Sequence, residues 1–141
     1  MVLAWKKKRS AKDIDEMCRQ KLIDARVDVN ILERGLLDSE YRRIGQILGF
    51  VGIQTSSVLG WTWEDWYDRM DRFGPFFAAT QRMGGHAVVI RGFEKRPNQF
   101  YLLDPYTPGV EMASARPEIT SLVQLRADIQ PVDCAIQVLR D

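Results

Sequence analysis

Residues able to do acid–base or nucleophilic chemistry are few in this chain. It has 141 residues with one histidine, His86, and two cysteines, Cys18 and Cys134. His86 stands in Gly84-Gly85-His86-Ala87-Val88-Val89-Ile90, at the mouth of an apolar, β-branched run that reads as a strand. The next such run, Phe100-Tyr101-Leu102-Leu103, ends in Asp104-Pro105, and Glu94-Lys95-Arg96-Pro97-Asn98 between them is a polar turn. A hairpin centred near Lys95 pairs residues whose numbers sum to about 190, setting His86 opposite Asp104, Val88 opposite Leu102 and Ile90 opposite Phe100. Opposed side chains on one face lie ~4.5–5.5 Å apart at Cβ, near enough for a carboxylate to orient an imidazole. A slip of two residues would keep both on that face but separate them along the strands. The chemistry is general-base catalysis: a carboxylate on one ring nitrogen fixes the tautomer and raises the basicity of the other nitrogen, which takes a proton from a thiol or hydroxyl. Gly84 and Gly85 leave the approach to the ring open. Spacing alone describes equally well a structural histidine bonded to an aspartate in a turn.

The surrounding elements read as helices first and strands after. Ser10 caps a helix running to about Arg26, with Ile14, Met17, Cys18, Leu22 and Ala25 on one stripe. Asp38 caps another, stopped by Gly49. Phe50 to Gln54 is a short strand. Thr62, with Asp65 three residues on, opens a helix through Arg72, and Trp61, Trp63 and Trp66 cluster at its start as core and groove-wall residues. From Gly74 strands dominate: Pro75 to Thr80, Gly85 to Phe93, Gln99 to Leu103 and Val110 to Ala113. Pro117 then suggests a brief helix through about Leu125, and Val132 to Leu139 closes the sheet. This is an α+β pattern in a single domain over 1–141, helical over about 1–72 and sheet over about 74–141. Met1 to Trp5, followed by Lys6-Lys7-Lys8-Arg9, reads as the end of a helix that begins before Met1.

Composition excludes several classes. With 20 Lys+Arg against 19 Asp+Glu and a net charge of +1, nothing draws the chain to nucleic acid or to an acidic membrane surface. One histidine and two cysteines are too few for a structural zinc site or a disulfide scaffold. No apolar run approaches the ~20 residues of a membrane span, and the front of the chain is not built as a signal peptide. No cofactor is identified.

Gly74-Pro75-Phe76, Gly85-His86-Ala87-Val88-Val89 and Tyr101-Leu102-Leu103-Asp104-Pro105-Tyr106 together resemble the C-terminal two-thirds of bacterial papain-like cysteine peptidases. The types concerned are effector and toxin domains related to staphopains and double-glycine leader peptidases. Leu36-Leu37-Asp38-Ser39-Glu40-Tyr41, ending at Leu48-Gly49-Phe50, resembles the helix and turn that precede the sheet in that family. The resemblance implies a papain-like fold, with His86 as general base, Asp104 as its orienting partner, and a peptide or protein as substrate or partner. Gly85, Trp61 and Trp63 would lie along the binding groove. It also implies a nucleophile in a Cys-Trp motif at the start of the first helix, with an oxyanion-hole Gln a few residues earlier, both upstream of Met1.

Neither cysteine replaces that nucleophile. Cys18 lies on an apolar helix stripe and Cys134 in the closing strand, where free cysteines are inert. The expectation is therefore a peptidase fold truncated at its catalytic helix and without turnover as given. The alternatives are an active thiol hydrolase once a Cys-bearing segment is supplied, or a non-catalytic interaction or immunity-like protein. Truncation would bare apolar groups of the Gly85–Phe93 hairpin and favour self-association or a covering partner. A bacterial cytoplasmic or secreted setting both fit, since export signals can lie outside this chain.

Overall fold

In a computed structural model of the protein, residues 10–82, 85–104 and 118–139 are described. The Ser10 hydroxyl accepts the Asp13 N–H at 3.1 Å, relieving one of the unpaired amides that open α1 (Ala11–Asp24). Ile14, Cys18 and Leu22, one helical turn apart, are its buried stripe. A short α2 (Ile31–Arg34) ends at Gly35. The next cap differs from the sequence expectation. Glu40, at the end of a 3-10 turn over Asp38–Glu40, accepts the Leu37 N–H at 2.7 Å, while Asp38 accepts from the Gln130 side chain at 2.8 Å. Helix α3 (Tyr41–Leu48) follows and stops at Gly49, whose φ of 93° suits a residue without Cβ.

Glu40 also receives two hydrogen bonds from the Arg34 guanidinium, at 2.7 and 3.0 Å. The guanidinium first, then the Leu37 N–H, hold its carboxyl down at about 2 against an ordinary 4.5. A carboxyl depressed on folding stabilises fully above its unfolded value and loses that contribution as pH falls through its folded value. The difference in urea midpoint between wild type and Glu40→Gln should therefore be largest above pH 4.5 and close on descent toward pH 2.

After β1 (Phe50–Ile53) and α4 (Thr55–Leu59), α5 (Trp63–Phe73) begins with a capping box in which Thr62 and Asp65 bond each other's backbone N–H. The sheet then assembles from β2 (Phe76–Thr80), β3 (His86–Lys95), β4 (Asn98–Leu103), β5 (Glu118–Thr120) and β6 (Ile136–Leu139), in the spatial order β1-β6-β2-β3-β4-β5. Every strand pair in it is antiparallel.

Alternation along the strands sends side chains to two covered faces. On one, Phe76, Ile90, Phe100 and Ile136 pack under Trp61, Trp66 and Met70. On the other, Val89 and Leu139 meet Ile14 and Cys18 of α1. Helix α3 lies on that second face, where Gln137 Nε2 donates to the Tyr41 carbonyl at 2.8 Å. The approach is close: a Cβ built on Gly45 would stand 2.1 Å from Gln137 Oε1. Gly45→Ala should cost about 1–3 kcal/mol in urea denaturation, because Gln137 must leave its buried acceptor to make room.

The C-terminal third departs most from the sequence reading. Instead of a helix from Pro117 to Leu125, Glu118–Thr120 pairs with β4, and Ser121, accepting the Gln124 N–H at 3.1 Å, caps α6 (Leu122–Asp128). The closing strand is shorter than Val132–Leu139 because Cys134 turns the chain at φ 61°. The strand expected at Val110–Ala113 and the helix end expected before Ser10 lie outside the described residues.

Candidate active site

His86 and Asp104 do meet, through a register other than the one expected. Lys95 pairs with Asn98, so the turn is the two residues Arg96 and Pro97, and Phe93 faces Phe100. These pairs sum to 193 rather than 190. Continued unbroken, an odd sum would put His86 and Asp104 on opposite faces of the hairpin. A bulge at Arg91 prevents this. Beyond it Ile90 faces Leu102 and Val89 faces Leu103, and the extra residue returns even-numbered positions of the two strands to one face. Ile90 thus faces Leu102 rather than Phe100, and continuing the register sets Val88, not His86, across from Asp104. The histidine lies one diagonal step further, within reach of an imidazole and a carboxylate.

That step is closed by a 2.5 Å contact between His86 Nε2 and Asp104 Oδ1. The ring is 16% exposed and the carboxylate 27%, enough burial for the pair to be screened little by solvent. Because Asp104 takes Nε2, the neutral ring carries its proton there, and Nδ1 is the nitrogen with basic character. His86 is also anchored through its backbone. Its Cα partner on β2 is Thr80, fully buried, whose hydroxyl donates to the His86 carbonyl at 2.7 Å.

The two residues that follow β2, Gln81 and Arg82, are pinned to the end of α6. The Gln81 N–H donates to the Asp128 carbonyl at 2.7 Å, and Arg82 bonds the Asp128 carboxylate through Nε at 3.0 Å and Nη2 at 2.8 Å. Gly85 donates its N–H to the Arg82 carbonyl at 2.9 Å and adopts φ 119°, a conformation open to glycine and strained for other residues. The sequence reading missed Thr80, Arg82 and Asp128. Thr80 is an unmarked strand end, and Asp128 lies 46 residues from the arginine it holds.

The tryptophans enter the core, as the sequence suggested. Trp61 is buried, edge-on to Trp66 at 4.9 Å and to Phe76 at 6.4 Å. Trp63 stacks on Phe100 at 4.7 Å and lies 5.8 Å from Tyr67. Both belong to the core over the turn-side half of the hairpin, whereas His86 and Asp104 lie at its other end. Trp61 is a core residue, and Trp63 is partly buried at the edge of the core.

Both cysteines are free and buried. Cys18 packs against Val89, on the sheet face opposite that of Val88 and His86, and burial, first among the causes, pushes its thiol up. Cys134 lies at the β1–β6 edge, accepting a hydrogen bond from Arg42 Nε at 3.4 Å. Two strands, β6 and β2, separate that edge from β3. Neither sulfur is placed to give its proton to His86. Among the described residues no group of three His, Cys, Asp or Glu side chains is arranged to hold a metal ion, and no helix is long and apolar enough to cross a membrane.

An aspartate on Nε2 of a sheet-borne histidine is an arrangement that can fix a ring tautomer, which general-base chemistry requires. No curated protein matches the chain. Residues 1–116 match the model of the family described as papain-like cysteine protease AvrRpt2. On that match, which spans most of the 141 residues, the chain belongs to the AvrRpt2 family of papain-like cysteine proteases.

Proposed function

We propose that the protein supplies the base half of a papain-like peptide hydrolase, and that its own 141 residues do not turn over substrate. In this reading Nδ1 of His86 takes the proton of an attacking thiol and later returns it to the leaving amine. Asp104 meanwhile holds the ring in the reactive tautomer and stabilises the imidazolium. The substrate is a peptide or protein, and the nucleophile is neither Cys18 nor Cys134. The observation that carries the reading is the 2.5 Å His86–Asp104 contact, combined with two cysteines that lie on the wrong face and at the wrong edge of the sheet.

Iodoacetamide labelling of the native chain, resolved by peptide mapping, tests the assignment of the sulfurs. Cys18 and Cys134 should both react at the slow rate of thiols that must first be uncovered, with no change in His86→Ala. Rapid labelling of either cysteine that His86→Ala suppresses would make that residue the nucleophile and overturn the reading.

A further inference from the structure

We propose that Arg82 is a positioning residue for the His86–Asp104 pair, bracing the loop that delivers His86 against the strand that delivers Asp104. This inference rests on the reading of His86 and Asp104 as a base pair, and it names the device that keeps them in contact.

The two partners sit at vulnerable points of the hairpin. His86 is the first residue of β3, directly after a glycine in a positive-φ conformation. Asp104 is the first residue beyond β4. Strand ends open more readily than strand centres, because fewer ladder bonds hold them. A contact made between two such ends needs support from outside the ladder.

Arg82 supplies that support in two directions. Nε and Nη2 both donate to Asp128 Oδ2, and Nη1 donates to Glu118 Oε2 at 2.8 Å. Asp128 ends α6, and its other oxygen accepts from Gln124 Nε2 at 2.8 Å. Glu118 opens β5 and is the Cα partner of Leu102, two residues before Asp104 on β4. The guanidinium therefore links the segment entering His86 to the segment leaving for Asp104, and to a helix end that fixes both. Arg82 is 21% exposed and Asp128 14%, so this arm of the clamp is shielded from solvent. Asp128 also carries a negative charge at a helix C-terminus, where the dipole disfavours one. Its pairing with Arg82 gives that placement a reason. Only a guanidinium presents donors in a fixed fork that can serve two carboxylates at once.

The lone histidine makes a specific test possible, because one imidazole resonance set reports the site. In ¹⁵N-labelled wild type the Nε2–H held by Asp104 should give a resolved resonance protected from exchange with water, and Asp104→Ala, which deletes the acceptor, should remove that protection. Arg82→Gln, which deletes all three hydrogen bonds, should speed exchange of this proton by about tenfold or more while core amides such as those of Val88 and Ile90 stay protected. Glu118→Ala breaks only the half-exposed arm and should give a smaller acceleration of about threefold, which keeps the inference testable if Arg82→Gln folds poorly. Arg82→Lys, a single point donor in place of the fork, should recover only part of the protection. If the variants melt at lower temperature but keep wild-type Nε2–H exchange, Arg82 is structural only and the inference fails. If wild type itself shows no protected Nε2–H, the His86–Asp104 reading fails before Arg82 is in question.

Discussion

Given a thiol from a chain extended at its N terminus by a Cys-Trp helix start, hydrolysis of a peptide substrate should fall by about 10⁴-fold or more in His86→Ala. The size follows from what the imidazole does. Without it the thiol is mostly protonated at neutral pH, and the leaving amine has no acid to collect its proton. What survives is binding energy and whatever oxyanion stabilisation the added segment brings. The ring is a part-buried residue at a strand end, and its removal opens no cavity in the core, so the shift in melting should be small beside the loss of activity. Parallel measurement of kcat/KM and Tm separates the two effects. A loss of activity matched by loss of fold would not support a catalytic role.

The largest expected effect on stability is at Phe100, which ties the core to the site. Its ring is fully buried, stacked on Trp63 at 4.7 Å and edge-on to Trp66 at 5.2 Å. It sits on β4, four residues ahead of Asp104. Phe100→Ala removes these ring contacts and leaves a cavity between α5 and the sheet, at a cost of about 3–5 kcal/mol. Against a total of about 5–15 kcal/mol for a domain this size, that is a large fraction. Urea denaturation should show it as a lowered midpoint. Phe100→Leu, which fills more of the space, should recover a good part of the difference. Equal midpoints for the two variants would mean that ring packing contributes little at this position.

Much of the architecture was legible from residue types alone. Ser10 and the Thr62–Asp65 pair announced their helices, Gly49 its stop, and the apolar runs at 86–90 and 100–103 their strands, because each of these signals acts within a few residues. The pairing of His86 with Asp104 was legible for a less secure reason. Counting from a turn at Lys95 gave the right face with the wrong register. The true turn at Arg96-Pro97 reverses the face, and the bulge at Arg91 reverses it again. Gly92, an isolated glycine inside the strand, is the kind of residue that marks a bulge, and a count from the turn alone passes over it.

What could not be read was decided by distant partners. The last helix starts after Ser121, its cap, because Glu118, Ile119 and Thr120 complete a ladder with Phe100, Tyr101 and Leu102. The ring partners of Trp61 and Trp63 (Trp66, Phe76 and Phe100) are set by how α5 is laid across the sheet, which no local pattern in the sequence specifies. The clamp on Arg82 joins residues 36 and 46 positions apart, and nothing in the composition near either end foretells it.

The central claim is that His86, held by Asp104, acts as a base toward a thiol. The most direct measurement is the pH dependence of alkylation of the cysteine in the extended chain, compared with the same chain carrying His86→Ala. Fast alkylation is expected well below the ordinary thiol range of about 8.5, with the acidic limb of the profile lost in His86→Ala. An added cysteine that reacts like a free thiol, with a profile indifferent to His86, would contradict it.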